Sequence, residues 1–183
     1  MKCPACKSAR LEACEPDPGM KGHECPGCRG RFVAFESFFS WQTRQPDAPP
    51  GPSGESLADE PASVDSGGGK LCPACGRFMT RMRVSLDLPF QIDRCGACAG
   101  MWFDRGEWEQ LRARGLHLRL HAFFSESWQN HLREKDRRLQ HEARCRALLG
   151  EEFYARLRDM KRWLDVHPQR AAVLAYLADT SLE

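Results

Sequence analysis

The chain has no long hydrophobic run: its longest apolar stretch, 171–178, is far below the roughly twenty residues needed to cross a bilayer. The N-terminal Met-Lys-Cys-Pro-Ala-Cys lacks the apolar core of a secretory signal, so a cytoplasmic protein without a membrane role is expected. No strong charge of one sign is present either. The formal net charge is +2, too weak a field to draw nucleic acid by itself. There is no HExxH motif, no nucleophile and base at an arguable spacing, and no βαβ pattern that would place a CxxC at a helix start, as thioredoxin-type chemistry needs. Catalytic residues are therefore expected to be none.

Cysteine, by contrast, is abundant, at ten in 183 residues. Cys72-Pro-Ala-Cys75 is answered, after nineteen intervening residues, by Cys95-Gly-Ala-Cys98. Cys3-Pro-Ala-Cys6 is answered by Cys25-Pro-Gly-Cys28 after eighteen. Two CxxC turns joined by a hairpin bring four thiolates to one tetrahedral site, and a reducing compartment favours metal over disulfides at such pairs. Two zinc ions are expected, held by Cys3, Cys6, Cys25 and Cys28 and by Cys72, Cys75, Cys95 and Cys98. The copies align beyond the ligands at an offset of seventy: Gly30 with Gly100, Phe32 with Trp102, Phe38 with Trp108 and Trp41 with Leu111. That is the mark of an internal duplication. Cys14 and Cys145 are left over and read as a small buried hydrophobe or an idle thiol.

The second copy continues as Ile92-Asp93-Arg94-Cys95, Cys98-Ala99-Gly100, then Trp102-Phe103-Asp104-Arg105-Gly106-Glu107 and Leu111. Over 72–111 this resembles the transcription-factor-IIB-like zinc-ribbon domains, whose pattern is CPxCG, a hairpin, then IDRCxxCxGxWxDRGExExL. The resemblance implies a zinc-binding module and not general transcription-factor activity. The first copy, over 3–41, is degenerate, because Ala34-Phe35-Glu36-Ser37 stands in place of Asp-Arg-Gly-Glu.

Asp104 and Glu107 are spaced as a capping box, which predicts a helix carrying Trp108 and Leu111 on one face and ending at Gly115. Thr80, Met82, Val84 and Leu86 alternate as a strand should, with a turn at Leu88-Pro89 and a return through Phe90-Gln91-Ile92. The stretch 10–24 of the first copy holds Pro16 and Pro18 and few β-formers, so a poorer sheet is expected there. Trp102 is expected to cover its metal site. Arg81, Arg83, Arg94 and Arg105 are expected to solvate the sheet and offset a four-thiolate zinc site rather than to form a phosphate-binding face.

Residues 46–69 hold five Pro, five Gly, four Ser and five acidic residues, too little apolar surface to offset ordering entropy. After Gly115 the pattern is helical. Trp128, Leu132, Leu139 and Ala143 form one stripe, Arg133, Arg137 and Arg144 a second, Phe153, Leu157, Met160 and Leu164 a third, and His167-Pro168 separates a last helix that is apolar nearly all round. His117 with His121, and His141 with Cys145, are spaced to share a helix face, but two ligands do not make a site.

The expected fold class is α+β: two small zinc ribbons joined by a disordered linker, then an α-helical C-terminal region. The expected divisions are a degenerate ribbon at 1–42, a flexible linker at 43–70, a ribbon with its helix at 71–115, and a helical hairpin or three-helix bundle at 116–183. The functional expectation is a non-enzymatic zinc-binding adaptor or regulatory module presenting ribbons and helices to a protein partner, with a transcription-related setting as one reading. The alternatives are nucleic-acid binding through the Arg-rich helices and a CxxC redox or rubredoxin-like iron protein. The partner's identity and the oligomeric state are not legible in the sequence.

Overall fold

The computed structural model describes residues 1–45 and 63–179. The chain divides into two units, Met1–Arg133 and Glu134–Glu183. In the first, strands β1 (Glu12–Asp17), β2 (Met20–Glu24) and β3 (Arg31–Val33) belong to one ribbon, and β4 (Met79–Met82), β5 (Ile92–Cys95) and β6 (Met101–Phe103) to the other. All six form a single antiparallel sheet in the order β1-β2-β3-β6-β5-β4.

The seam is β3 against β6, with Arg31 opposite Phe103, Phe32 opposite Trp102 and Val33 opposite Met101. Phe32 thus faces its own counterpart in the duplication, so a local two-fold relates the ribbons as it relates the halves of an isologous dimer. Strand alternation sends Phe32 and Trp102 to the face that carries the cysteines. It sends Val33, Met101 and Phe103 to the other.

The seam is interlocked. A Cβ added to Gly30 would lie 2.2 Å from Trp102 Cζ2, and one added to Gly100 would lie 2.6 Å from Phe32 Cζ. Each aromatic therefore covers the bare backbone of the opposite ribbon, which explains why glycine and aromatic recur together in the two copies.

The other face is capped by two equivalent helices, α1 (Phe35–Gln42) and α2 (Glu107–Ala113). Phe38 and Trp41 of α1 and Trp108 and Leu111 of α2 are buried in one core with Met20, Ile92 and Phe103. Trp108 stands edge-on to Trp41 at 5.7 Å and to Phe103 at 5.2 Å. A lone ribbon of about forty residues buries too little surface to be stable on that basis; here two ribbons share one core. Arg112 Nε reaches Asp17 Oδ2 at 3.0 Å, and Arg31 bridges Glu24 and Glu109, so the ribbons are also tied by charge.

Several expectations need correction. The first hairpin is longer than the second, because Pro18-Gly19 supplies a tight turn, with Gly19 at φ +78 and Asp17 paired to Met20. Pro16 sits at the register shift of an edge strand, where no N–H is missed. The second ribbon's strand stops at Met82, because Val84, Leu88 and Phe90 turn into the core instead of alternating.

Both ends of the expected 43–70 linker bond to the ribbons. Its residues 46–62 lie outside the described residues, while Arg44 donates to Gly19 O at 2.9 Å and Val64 N to Arg105 O at 3.0 Å. The helical region does not begin at 116 as a separate body either. After a 3-10 turn at His117–Arg119, α3 (Leu120–Phe123) and the start of α4 (Glu126–Leu149) bury Leu120, Phe123, Phe124 and Leu132. Trp128 Nε1 donates to Val84 O at 3.1 Å. Ser125 caps α4, its Oγ accepting from Trp128 N.

The second unit holds the rest of α4, α5 (Glu151–Asp165) and α6 (Arg170–Ala178). Gly150, at φ +77, breaks the first pair as expected, and Arg146 lies over the Tyr154 ring across the break. A bundle core is missing: Leu164 is the one buried large apolar side chain among residues 134–179. No helix among the described residues is long and apolar enough to cross a membrane.

Gly30→Ala should overpack the seam and destabilise the first unit by about 1–3 kcal/mol. Gly96→Ala, with nothing within 4 Å of the new methyl, should change stability far less; denaturant unfolding of the two variants checks the difference.

Candidate metal centres

All four CxxC turns share one backbone. The first cysteine's carbonyl accepts from the residue just after the second cysteine: Lys7 N to Cys3 O, Arg29 N to Cys25 O, Gly76 N to Cys72 O and Ala99 N to Cys95 O, at 2.8–3.1 Å. That residue is left-handed in every case, with φ of 59° at Lys7, 62° at Arg29, 73° at Gly76 and 54° at Ala99. The position suits glycine, and only the CPACG turn supplies one. A second bond closes each turn on the first cysteine's own N–H, from Cys3 to Ala9 O, Cys25 to Gly30 O, Cys72 to Arg77 O and Cys95 to Gly100 O.

The turns converge in pairs as expected. Cys3, Cys6, Cys25 and Cys28 bring their sulfurs within 4.8 Å of one another, and so do Cys72, Cys75, Cys95 and Cys98. The nearest Sγ···Sγ distances are 3.5 Å for Cys3 with Cys28 and for Cys6 with Cys25, 3.5 Å for Cys72 with Cys98, and 3.4 Å for Cys75 with Cys95. These are close to the edge of a tetrahedron whose centre is about 2.3 Å from each sulfur, the usual Zn–S length. In each set the first cysteine of either turn is buried. Burial pushes the Cys3 thiol up and the Cys72 thiol up to about 12. The Ala9 backbone N–H and the Ser8 side chain bring Cys6 down to about 6. At Cys95 burial works upward, but the Cys98 and Ala97 N–H groups outweigh it and the thiol falls to about 6. Backbone donors aimed at sulfur stabilise the thiolate that a metal requires. Four soft donors at tetrahedral spacing fit a closed structural metal ion with no position left for substrate.

Residues 71–114 match the family model described as Transcription factor zinc-finger, Zn_ribbon_TFIIB. This segment is a transcription-factor-IIB-like zinc ribbon. No curated protein and no solved structure matches the chain. The family match covers the second ribbon and its helix; the first ribbon has the same knuckle geometry and its own set of four thiols.

In the matched ribbon the acidic motif does something the spacing did not reveal. Glu107 Oε2 accepts from Asp104 N at 2.8 Å, which is half of the expected capping box. The other half is absent, because Asp104 accepts instead from Trp102 Nε1 at 2.7 Å and from the N and Oγ of Ser66 at 2.8 and 2.7 Å. Helix α2 starts from a left-handed Gly106 with no side-chain cap. Its end follows expectation, Gly115 N bonding Arg112 O and Leu116 N bonding Leu111 O.

Lys70, 2% exposed, lies 2.7 Å from Asp93 Oδ2 and 3.3 Å from Asp104 Oδ2. A buried lysine with two buried aspartates locks the 64–70 segment onto the ribbon and aims the Trp102 indole. Burial opposes the charge on both Lys70 and Asp104, yet their ionic and hydrogen-bonded partners overcome it, holding Lys70 above and Asp104 below their usual ranges. Asp93 lies in β5 and Asp104 directly after β6, both within the motif; nothing in the sequence marked Lys70 as their partner.

The other candidates are not brought to the metals. Trp102, expected to cover its metal site, is fully buried in the cluster that holds Cys72 and Cys95, but its ring lies on Gly30 of the other ribbon, across the seam. His117 sits tilted against Trp41 and edge-on to Trp108, each at 5.9 Å, and burial holds it below its usual range, while His121 Nδ1 meets Gln42 at 3.2 Å. His141 and Cys145 approach to 3.6 Å, and no third ligand joins them among the described residues. Arg81 pairs with Asp65, and Arg94 lies 5.4 Å over the Phe124 ring.

Glu107 is buried with Oε1 unpartnered, and burial pushes its carboxyl from 4.5 up to about 9. The folded state therefore holds a proton that the unfolded state releases above about pH 4.5, so this stabilisation is present below that pH and is lost as pH rises toward about 9. Between pH 6 and 9 the metal-loaded protein should lose stability, and Glu107→Gln, which keeps an acceptor for Asp104 N, should flatten that slope in pH-dependent thermal unfolding.

Proposed function

We propose that the protein is a non-enzymatic, cytoplasmic zinc-dependent adaptor, in which two structural zinc ions hold one double ribbon that a partner protein recognises. The observation that carries this reading is a groove of about 350 Å³ on the first unit, lined by Phe35, Phe38, Phe39, Met101, Phe124 and Arg94. Phe35 and Phe39 stack at 5.8 Å beside it and stay exposed. A soluble surface that keeps two phenylalanines next to an apolar groove fits an apolar anchor from another chain, with Arg94 at the rim for a carboxylate. A transcription-related setting draws its support from the matched family alone.

The closed four-sulfur sites support structure and not Lewis-acid chemistry. Redox use of the CxxC pairs draws little support, because each turn leads into a strand or loop and none opens a helix whose dipole would activate a thiolate. Nucleic-acid binding by the Arg-rich helices draws less support than the groove, since Arg138, Arg156, Arg162 and Arg170 lie 2.5–3.6 Å from Glu134, Glu152, Asp159 and Asp165.

Elemental analysis after anaerobic purification should find two zinc ions per chain; iron, or one ion or none, would contradict the metal assignment. A photo-crosslinker placed at Thr43, in the groove lining, should trap a discrete protein partner, and Phe35→Ser with Phe39→Ser should abolish its capture with zinc content unchanged. Retention of nucleic acid in place of protein, or capture indifferent to both substitutions, would count against the adaptor.

A further inference from the structure

Helix α5 is amphipathic and α6 is apolar nearly all round, and both leave large apolar side chains exposed. Phe153 and Trp163 of α5 are each 52% exposed and Tyr176 of α6 is 68% exposed, with Met160, Leu174 and Leu177 also open to solvent. In the stripe Phe153, Leu157, Met160 and Leu164, which follows helical spacing, Leu164 is buried and Leu157 half-buried while Phe153 and Met160 stay exposed, so one end of the face is covered and the rest is open. Among the described residues of this unit only Leu164 is buried among the large apolar side chains. A helical unit of this size with one buried anchor has no core to offset the ordering of three helices.

We propose that the second unit is a homodimerisation module, in which α5 and α6 of one chain cover those of a second copy. Two observations select a second copy as the occupant. The first is charge: residues 134–183 carry ten Lys/Arg against nine Asp/Glu. Arg156 with Glu152 and Arg162 with Asp159 already pair along α5 itself. Two such faces meet without repulsion, whereas a strongly acidic or basic partner finds no complement here. The second is area. Six half-exposed side chains at roughly 150–250 Å² each present on the order of 600 Å², and Leu149 and Val166, also exposed, extend this toward the roughly 800 Å² per partner that a stable interface buries. The paired copies place two double ribbons, and hence two copies of the Phe35–Phe39 groove, in one particle. The dimer itself does not depend on what that groove binds.

Sedimentation equilibrium of the full zinc-loaded chain tests this. The expected mass is twice 20.8 kDa, with dissociation on dilution. Phe153→Glu and Trp163→Glu, made separately, should each weaken the dimer at least about tenfold, the loss expected of a buried aromatic anchor, while Phe39→Ser leaves it intact. A monomer at concentrations up to about 200 µM would overturn the proposal, as would a dimer that both glutamate variants retain or that Phe39→Ser dissociates. Should either glutamate variant lose its helical circular dichroism, the wild-type melt decides: a helical transition whose midpoint rises with protein concentration upholds the proposal, and one independent of concentration overturns it.

Discussion

The contact on which the first unit depends is the pairing of Phe32 with Trp102 across the β3–β6 seam. Three residue pairs of strand would be a weak join by backbone alone. The join is strengthened because each aromatic lies on the other ribbon's glycine, at distances that admit no side chain there. The shared core behind the seam, with Trp41 against Trp108, then gives each helix a surface that one ribbon could not supply. A duplicated sequence has here become a two-fold structure within one chain.

The metal sites and the seam support one another. Each site lies at one end of a ribbon whose last short strand, β3 or β6, follows directly from a zinc knuckle. Structural zinc contributes an apparent binding free energy of roughly 10–16 kcal/mol at neutral pH. A zinc ion in each four-thiol site would supply enough to hold knuckles whose left-handed residues are Lys7, Arg29 and Ala99 in place of glycine. In the second ribbon the buried Lys70 with Asp93 and Asp104 adds a polar lock, costly to assemble and more costly to break by removing one partner.

Much of this was legible in the sequence. The two clusters of four cysteines follow from CxxC spacing, and the offset of seventy located Gly30, Phe32, Phe38 and Trp41 in roles equivalent to those of Gly100, Trp102, Trp108 and Leu111. The seam itself was not, since strands of three residues carry no periodicity, and an offset says which residues correspond but not that they touch. The strand expected through Val84 and Leu86 failed because alternation there reflects a loop dipping into the core. The Asp104 cap failed because the segment at Ser66 and Lys70, distant in sequence and glycine-rich, competes for the same carboxylate. The stripe from Trp128 to Ala143 was real as far as Leu132; beyond it Leu139 is exposed, because burial depends on a partner that the helix's own sequence does not name.

If the ribbons are one cooperative structure joined at Phe32 and Trp102, disabling the second metal site must reach the first ribbon through the seam. Amide hydrogen exchange of Cys95→Ser read at β2 and β3 measures this directly. The account predicts that protection at His23, Phe32 and Val33 falls well below wild type although Cys3, Cys6, Cys25 and Cys28 are intact. Wild-type protection there, with loss confined to 71–114, would contradict it and show two ribbons that merely lie side by side.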